Sequence, residues 1–178
     1  MAWGRVRSWL RGGAAAVALA GLAACASGPG GAPEGYRAAN LRAYEVGGRW
    51  YQPKIVSRYE ANGLASWYAY PYGARRTASG EVFDGRLLTA AHKTLPLPCL
   101  AEVTNLENGR RITVRVNDRG PFVDGRLIDL SPAAADRLGF KARGLTQVRV
   151  RFLGPARTLA DAGQTLMAAV DETGPDLF

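Results

Sequence analysis

The chain has 178 residues, with 23 Lys and Arg against 15 Asp and Glu for a formal net charge of +8, one His and two Cys. That length holds one domain with extensions and excludes two substantial domains. A single His and so few thiols cannot furnish a typical zinc set, and the basic residues form no stripe interleaved with aromatics of the kind that binds nucleic acid.

Residues 1–24 read as a signal peptide. Arg5, Arg7 and Arg11 supply a positive start, Ala14 to Leu22 form an uninterrupted run of nine without polar side chains, and small Ala23 and Ala24 precede Cys25. Nine residues reach roughly 14 Å as a helix, about half of a bilayer core, so the run is a signal-peptide core and not a membrane span. The segment Leu22-Ala23-Ala24-Cys25 resembles the bacterial lipobox, which implies cleavage before Cys25 and its acylation. Several acyl chains at about 0.8 kcal/mol per buried methylene make a durable anchor. Ala26 and Ser27 follow, and by resemblance to Gram-negative lipoproteins the lack of Asp there implies sorting to the outer membrane, facing the periplasm. Losing residues 1–24 leaves 20 Lys and Arg against 15 Asp and Glu, a net charge of +5 that favours polyanions such as wall polymer. With Cys25 acylated, Cys99 has no thiol partner, and the fold rests on core packing.

Residues 25–62 form a lipidated tether and extension. Residues 26–40 are rich in Gly, Ala and Pro without apolar periodicity, which reads as a flexible tether. Tyr44 to Pro53 carries aromatics that a linker does not need and is expected to pack loosely on the domain. The folded unit is expected over residues 63–154. Leu64 to Tyr68 reads as a short strand. Leu100 to Asn105 and Arg111 to Val116 alternate apolar and polar residues around Asn108-Gly109, which predicts a tight hairpin. Leu127 to Leu130 is a further strand. Ser131 caps and Pro132 opens a helix running to Leu138 and stopped by Gly139, and Gln147 to Phe152 alternates again. Short strands with one or two brief helices predict a compact β-barrel. Residues 155–178 form a short C-terminal tail.

Two stretches concentrate chemistry. Gly80-Glu81-Val82-Phe83-Asp84 sets two carboxylates three apart, and His92, the only histidine, follows eight residues after Asp84. Asn117-Asp118-Arg119-Gly120-Pro121 ends an alternating strand, so Asp118 sits at a strand end where rigidity meets solvent. Each element also has a structural reading. Glu81 or Asp84 suits the cap of a helical turn around Leu88 to His92; His92 suits a hydrogen-bonded core position; the Asn117–Pro121 run suits a turn; and Trp67 and Tyr68 suit the core. Cys99, at the start of a strand, reads as an inert thiol.

The blocks Gly63-Leu-Ala-Ser-Trp-Tyr68, Arg76-Thr-Ala-Ser-Gly-Glu-Val-Phe-Asp84, Leu88-Thr-Ala-Ala-His-Lys-Thr-Leu-Pro-Leu97, Val103-Thr-Asn-Leu106, Val114-Arg-Val-Asn-Asp-Arg-Gly-Pro-Phe122 and Asp129-Leu-Ser-Pro-Ala-Ala-Ala135 together resemble the rare lipoprotein A (RlpA) family. The resemblance implies a six-stranded double-psi β-barrel and a lytic transglycosylase acting on peptidoglycan glycan strands freed of stem peptides. Carried over by position, it implies Glu81, Asp84, His92 and Asp118 as catalytic residues, with Trp67 as a sugar-contacting aromatic. Tyr68, Asn117 and Arg119 beside them are expected to contact substrate. Asp118 is expected to act as acid and then base, Glu81 and Asp84 to tune it, and His92 to orient a carboxylate. Division-site proteins are possible partners, and no cofactor or metal is implied. The sequence departs from the family pattern at Ala69 to Ala74, where Gly73 replaces a usual His, at Ser79 for Asn and at Cys99 for Gly. A C-terminal SPOR domain, common in relatives, is expected to be absent. Two other readings stand beside this one: a two-carboxylate inverting hydrolase, and an expansin-like glycan-binding lipoprotein that cleaves nothing.

Overall fold

The computed structural model describes residues 35–36, 38–68 and 75–156. The signal segment, Cys25, most of the tether, the Ala69–Ala74 loop and the tail beyond residue 156 lie outside the described residues.

A hairpin comes first. Strand β1 (Tyr44–Val46) pairs with β2 (Arg49–Tyr51) across Gly47 and Gly48, whose φ values of 59° and 76° suit glycine in a two-residue turn. Six further strands close into a barrel: β3 (Glu60–Trp67), β4 (Thr89–His92), β5 (Cys99–Asn105), β6 (Arg111–Asp118), β7 (Arg126–Leu130) and β8 (Thr146–Pro155). Their order around the barrel is β3-β7-β4-β6-β5-β8. Two neighbouring pairs, β3 with β7 and β4 with β6, run parallel, and the rest are antiparallel. This is the six-stranded double-psi barrel expected above, with helix α1 (Pro132–Arg137) between β7 and β8.

The alternation read from the sequence sorts inside from outside. Val148 and Val150 on β8, Val114 and Val116 on β6, and Ala101 and Val103 on β5 are sealed in the core, while Gln147, Arg149 and Arg151 face solvent. Alanines at 65, 90 and 101 keep the interior narrow, and Leu95, Leu97, Leu138 and Phe140 complete the same cluster. Gly63 brings β3 against β7, since a Cβ there would lie 2.8 Å from Leu127 Cβ. Ser131 caps α1 as expected; its Oγ accepts the Ala134 N–H at 3.2 Å and donates to the Leu87 carbonyl at 2.6 Å.

Three expectations change. Residues 89–92 form strand β4, buried throughout, and not a helical turn, because they complete the ladder between β6 and β7. The hairpin after β5 has a longer loop, closed by the Asn105 N–H to the Arg110 carbonyl at 2.8 Å. Asn108 is drawn out of a tight turn because its amide, like that of Asn105, donates to the Leu138 carbonyl at 2.9 Å. The Tyr44–Pro53 segment is also more firmly placed than expected. Tyr44 and Tyr51 stack at 5.3 Å, both rings contact Phe122, and Tyr44 Oη donates to the Lys93 carbonyl at 2.7 Å. An ion pair between Arg49 and Asp124 holds the hairpin's other edge.

Candidate active site

The end of β6 is built by a turn that folds over it. Thr77 and Gly80 close that turn, with the Gly80 N–H on the Thr77 carbonyl at 2.8 Å and Gly80 at φ 89°, a value that glycine adopts without strain. Two bonds lay the turn on β6: the Ser79 N–H donates to the Asn117 carbonyl at 3.0 Å, and the Ala78 N–H to Asp118 Oδ1 at 2.9 Å. Asp118 Oδ1 also accepts the Arg119 N–H at 2.8 Å. Its Oδ2 accepts no hydrogen bond among the described residues and is not sealed from solvent.

The same turn delivers Glu81 onto β6. Arg115 Nη2 meets Glu81 Oε1 at 2.7 Å, and Asn117 Nδ2 donates to Oε2 at 2.9 Å. Burial pushes the Glu81 carboxyl up, but its bonds to Arg115, Asn117 and Ser79 outweigh that and hold it below the usual range. Glu81 is therefore an ionised anchor for a buried guanidinium, which limits its reach toward a substrate. Asn117 is likewise buried, with its Nδ2 on Glu81 and its Oδ1 without a hydrogen-bond partner among the described residues.

His92 is a clear correction. Its Nδ1 accepts the N–H groups of Thr94 at 3.2 Å and Leu95 at 3.0 Å, so the proton lies on Nε2, which donates to Tyr59 Oη at 3.0 Å. Burial, with Arg119 and Lys93 adding positive charge nearby, pushes the imidazole down to about 3. Both ring nitrogens are engaged away from any carboxylate, and the ring is neutral. Arg119 is similarly committed: its Nη atoms donate to the carbonyls of His92, Leu95 and Asn40 at 3.2, 2.6 and 2.7 Å, and its Cζ lies 5.7 Å from the centroid of the Tyr44 ring. It clamps the N-terminal segment to the barrel instead of facing substrate.

Asp84 turns elsewhere. It pairs with Arg86 at 2.8 Å, whose hydrogen bonds hold the carboxyl below its ordinary range. It lines an open cavity of about 780 Å³ with Arg86, Pro132, Asp136 and Lys141. Trp67 borders this region, its indole N–H donating to the Lys141 carbonyl at 3.0 Å. The Tyr68 ring lies 5.1 Å from Phe83, and its N–H donates to the Leu130 carbonyl at 3.0 Å. Cys99 is fully buried in the core, and burial pushes its thiol up to about 12, so it is inert.

One acidic residue escaped the sequence reading. Asp129 was visible only as part of a family block, yet it stands alone between core residues Ile128 and Leu130 on β7. A carboxylate on the outer parity of an otherwise buried strand was the available signal. Strand register brings it into line with Asp118. Ser66 on β3 pairs with Asp129, Asp129 with Ala91 on β4, and Ala91 with Asp118 on β6, where a bulge between Ala90 and Ala91 sets the last pairing. All four residues of this row are buried, and each is sequence neighbour or next neighbour to a core residue: Ala65, Ile128, Ala90 and Val116. A Cβ at Gly120 would lie 3.9 Å from the Ala91 methyl, which sets the Gly120 loop beside the same row.

The six strands close into a double-psi barrel, and residues 60–150 match the family model described as lytic transglycolase; the chain belongs to that family. Within it the similarity is to RlpA proteins. The endolytic peptidoglycan transglycosylase RlpA of Haemophilus influenzae is 50% identical over 119 residues, covering 65% of this chain and 42% of the relative. Its namesake in Campylobacter jejuni is 46% identical, covering 64% and 42%. That of Pseudomonas aeruginosa is 48% identical, covering 68% and 36%. The chain thus spans less than half the length of these relatives.

Proposed function

We propose that this protein is a lytic transglycosylase that cuts peptidoglycan glycan strands between N-acetylmuramic acid and N-acetylglucosamine, leaving 1,6-anhydro ends. The supporting observation is the geometry of Asp118. Two backbone N–H groups hold Oδ1, which fixes the carboxyl, and Oδ2 accepts no hydrogen bond among the described residues. The reaction uses a carboxyl group twice. A proton goes to the bridging oxygen as the C1–O bond breaks; the C6 oxygen then closes on C1, and its proton returns to a carboxylate. No water is consumed. Asp118 is the residue assigned to this proton handling, Glu81 shapes the turn that holds it, and half-buried Trp67 and Tyr68 are the aromatic residues assigned to sugar contact. The names of the relatives support the same substrate.

Amidase-treated sacculi supply strands freed of stem peptides. The purified protein should release anhydro-ended fragments, which are about 18 Da lighter than the hydrolysis products. Asp118→Asn should reduce release by roughly 10²- to 10⁴-fold with the fold intact. Products carrying the added water would make the protein a hydrolase instead, and capture of sacculi without release would make it a binding protein. The reading extends to the envelope: Cys25 carries the lipid anchor and holds the domain at the outer membrane, facing the periplasm. Labelled palmitate should enter the wild type and not Cys25→Ser.

A further inference from the structure

Among the described residues, exposed apolar side chains gather at one place. Of ten large ones, four lie on the β1–β2 hairpin and the loop beneath it: Val46, Trp50, Phe122 and Val123. Single exposed apolar residues are ordinary, whereas a group of them marks a surface that meets something. Trp50 is the extreme case at 70% exposed, and its indole makes no hydrogen bond or ring contact among the described residues. Strand pairing sets its direction. Tyr44 sits opposite Tyr51 and Glu45 opposite Trp50, and successive side chains alternate between faces. The two tyrosines pack on Phe122, so Glu45 and Trp50 share the face turned away from the barrel.

The hairpin that presents Trp50 is firmly held. Tyr44 Oη donates to the Lys93 carbonyl, Arg119 to that of Asn40 ahead of β1, Arg49 pairs with Asp124, and the Lys54 N–H after β2 donates to the Thr94 carbonyl at 3.0 Å. None of the buried core residues comes from the hairpin, so what this anchoring supplies is a fixed outer face, and a preorganised surface binds at lower entropic cost. Its place is set by the corner that carries Asp118. Phe122 follows four residues after Asp118, and a Cβ at the intervening Gly120 would lie 3.8 Å from the Phe122 ring and 3.9 Å from the methyl of Ala91, the strand partner of Asp118. Trp67 stands at the other end. It pairs with Leu130 at the end of β7, whereas Lys93, which holds Tyr44, reaches the Arg126 carbonyl at the start of β7 at 2.6 Å. A polymer that meets Trp67 and Asp118 comes to the hairpin when it continues past the corner.

We propose that the outer face of the β1–β2 hairpin is a distal glycan-binding subsite, in which the Trp50 indole stacks on a neutral N-acetylglucosamine unit of the strand and the Glu45 carboxylate accepts its hydroxyl protons. The inference rests on the transglycosylase reading, which supplies the polymer, and adds a grip several sugars away from the bond that breaks. Chemistry selects this occupant. A pyranose ring offers a flat face of C–H groups rimmed by hydroxyls, so it fits an aromatic surface with an acceptor at its edge. Directly opposed residues of paired strands have Cβ atoms about 5 Å apart, which sets the Glu45 carboxylate beside the indole. The same carboxylate repels an anionic lipid surface. By chain and strand spacings the indole lies on the order of 15 Å from Asp118. The hairpin precedes residues 60–150, which match the family model, so the subsite is an addition to the barrel.

Dependence on chain length tests the subsite. Full-length wild type and Trp50→Ala are compared on long denuded strands and on a tetrasaccharide of the same repeat, which is cut at its centre and stops short of the hairpin. A sugar covering roughly 60 Å² of the indole is worth about tenfold in affinity. Trp50→Ala should therefore raise KM on long strands about tenfold at constant kcat and cut the preference for long strands over the tetrasaccharide by the same factor. Trp50→Phe should recover most of that preference, and Glu45→Ala should lose about threefold of it. An unchanged preference in Trp50→Ala overturns the subsite, as does an equal loss on both substrates. Binding separates this inference from the reading beneath it. In an Asp118→Asn background, Trp50→Ala should weaken capture by amidase-treated sacculi about tenfold, and equal capture overturns the subsite even when the wild type is active. If the wild type releases no fragments, the transglycosylase reading falls and the capture comparison alone decides the subsite. Vesicles of phosphatidylethanolamine and phosphatidylglycerol that bind through Trp50, with glycan capture unaffected by its loss, would give this face to lipid and also overturn the proposal.

Discussion

His92 gives the sharpest test of the site's geometry, because a catalytic imidazole and a structural one respond oppositely to acid. The folded ring titrates at about 3, while an unfolded histidine titrates near 6.5. Above pH 6.5 both states are neutral and the group contributes no pH dependence. As pH falls below 6.5 the unfolded chain takes up a proton that the native protein refuses, so stability is lost until the folded ring protonates near 3. At about 1.36 kcal/mol per pH unit, this one residue removes roughly 2 kcal/mol between pH 7 and pH 5. Other groups titrate as well, so the comparison is with His92→Asn. The asparagine carbonyl can still accept from the N–H groups of residues 94 and 95 as an Asx turn does, but it does not ionise. That variant should be about 1 kcal/mol less stable at pH 7, having lost the Tyr59 bond. Its further loss on going to pH 5 should be about 2 kcal/mol smaller than that of the wild type. Urea denaturation at the two pH values measures both quantities. Equal losses in the two proteins would refute the reasoning, since His92 would then titrate alike folded and unfolded.

Glu81→Ala should lower stability by about 3 kcal/mol in the same denaturation assay, because it removes the carboxylate that meets the buried Arg115. Gly63→Ala should cost roughly 1–3 kcal/mol through collision with Leu127 Cβ, read as a lower thermal midpoint. Arg119→Gln removes donors from the carbonyls of His92, Leu95 and Asn40, so amides of the Tyr44–Tyr51 hairpin should exchange at least tenfold faster while those of β5 and β8 keep their protection.

Much of the barrel was legible one strand at a time. Alternation in Leu100–Asn105, Arg111–Val116 and Gln147–Phe152 follows from the period of two that a half-buried strand imposes, and Ser131-Pro132 with Gly139 bracketed α1 by cap chemistry. Residues 89–92 were not legible as a strand, because Thr89 to His92 is buried throughout and no alternation survives. Chemistry-bearing residues were found by type, but their duties were not. Asp118 emerged because a strand end is a local feature. The fates of Glu81, Asn117, Arg119 and His92 depended on partners that the chain brings from far away: Arg115 lies 34 residues from Glu81, and Tyr59 lies 33 from His92. The row from Ser66 through Asp129 and Ala91 to Asp118 exists only across strands, set by two parallel pairings, one antiparallel pairing and a bulge. Periodicity and capping act over a few residues and are written along the chain. Register and burial join residues that the chain keeps apart, so only the closed barrel decides which carboxyl is anchored and which keeps an oxygen without a hydrogen bond.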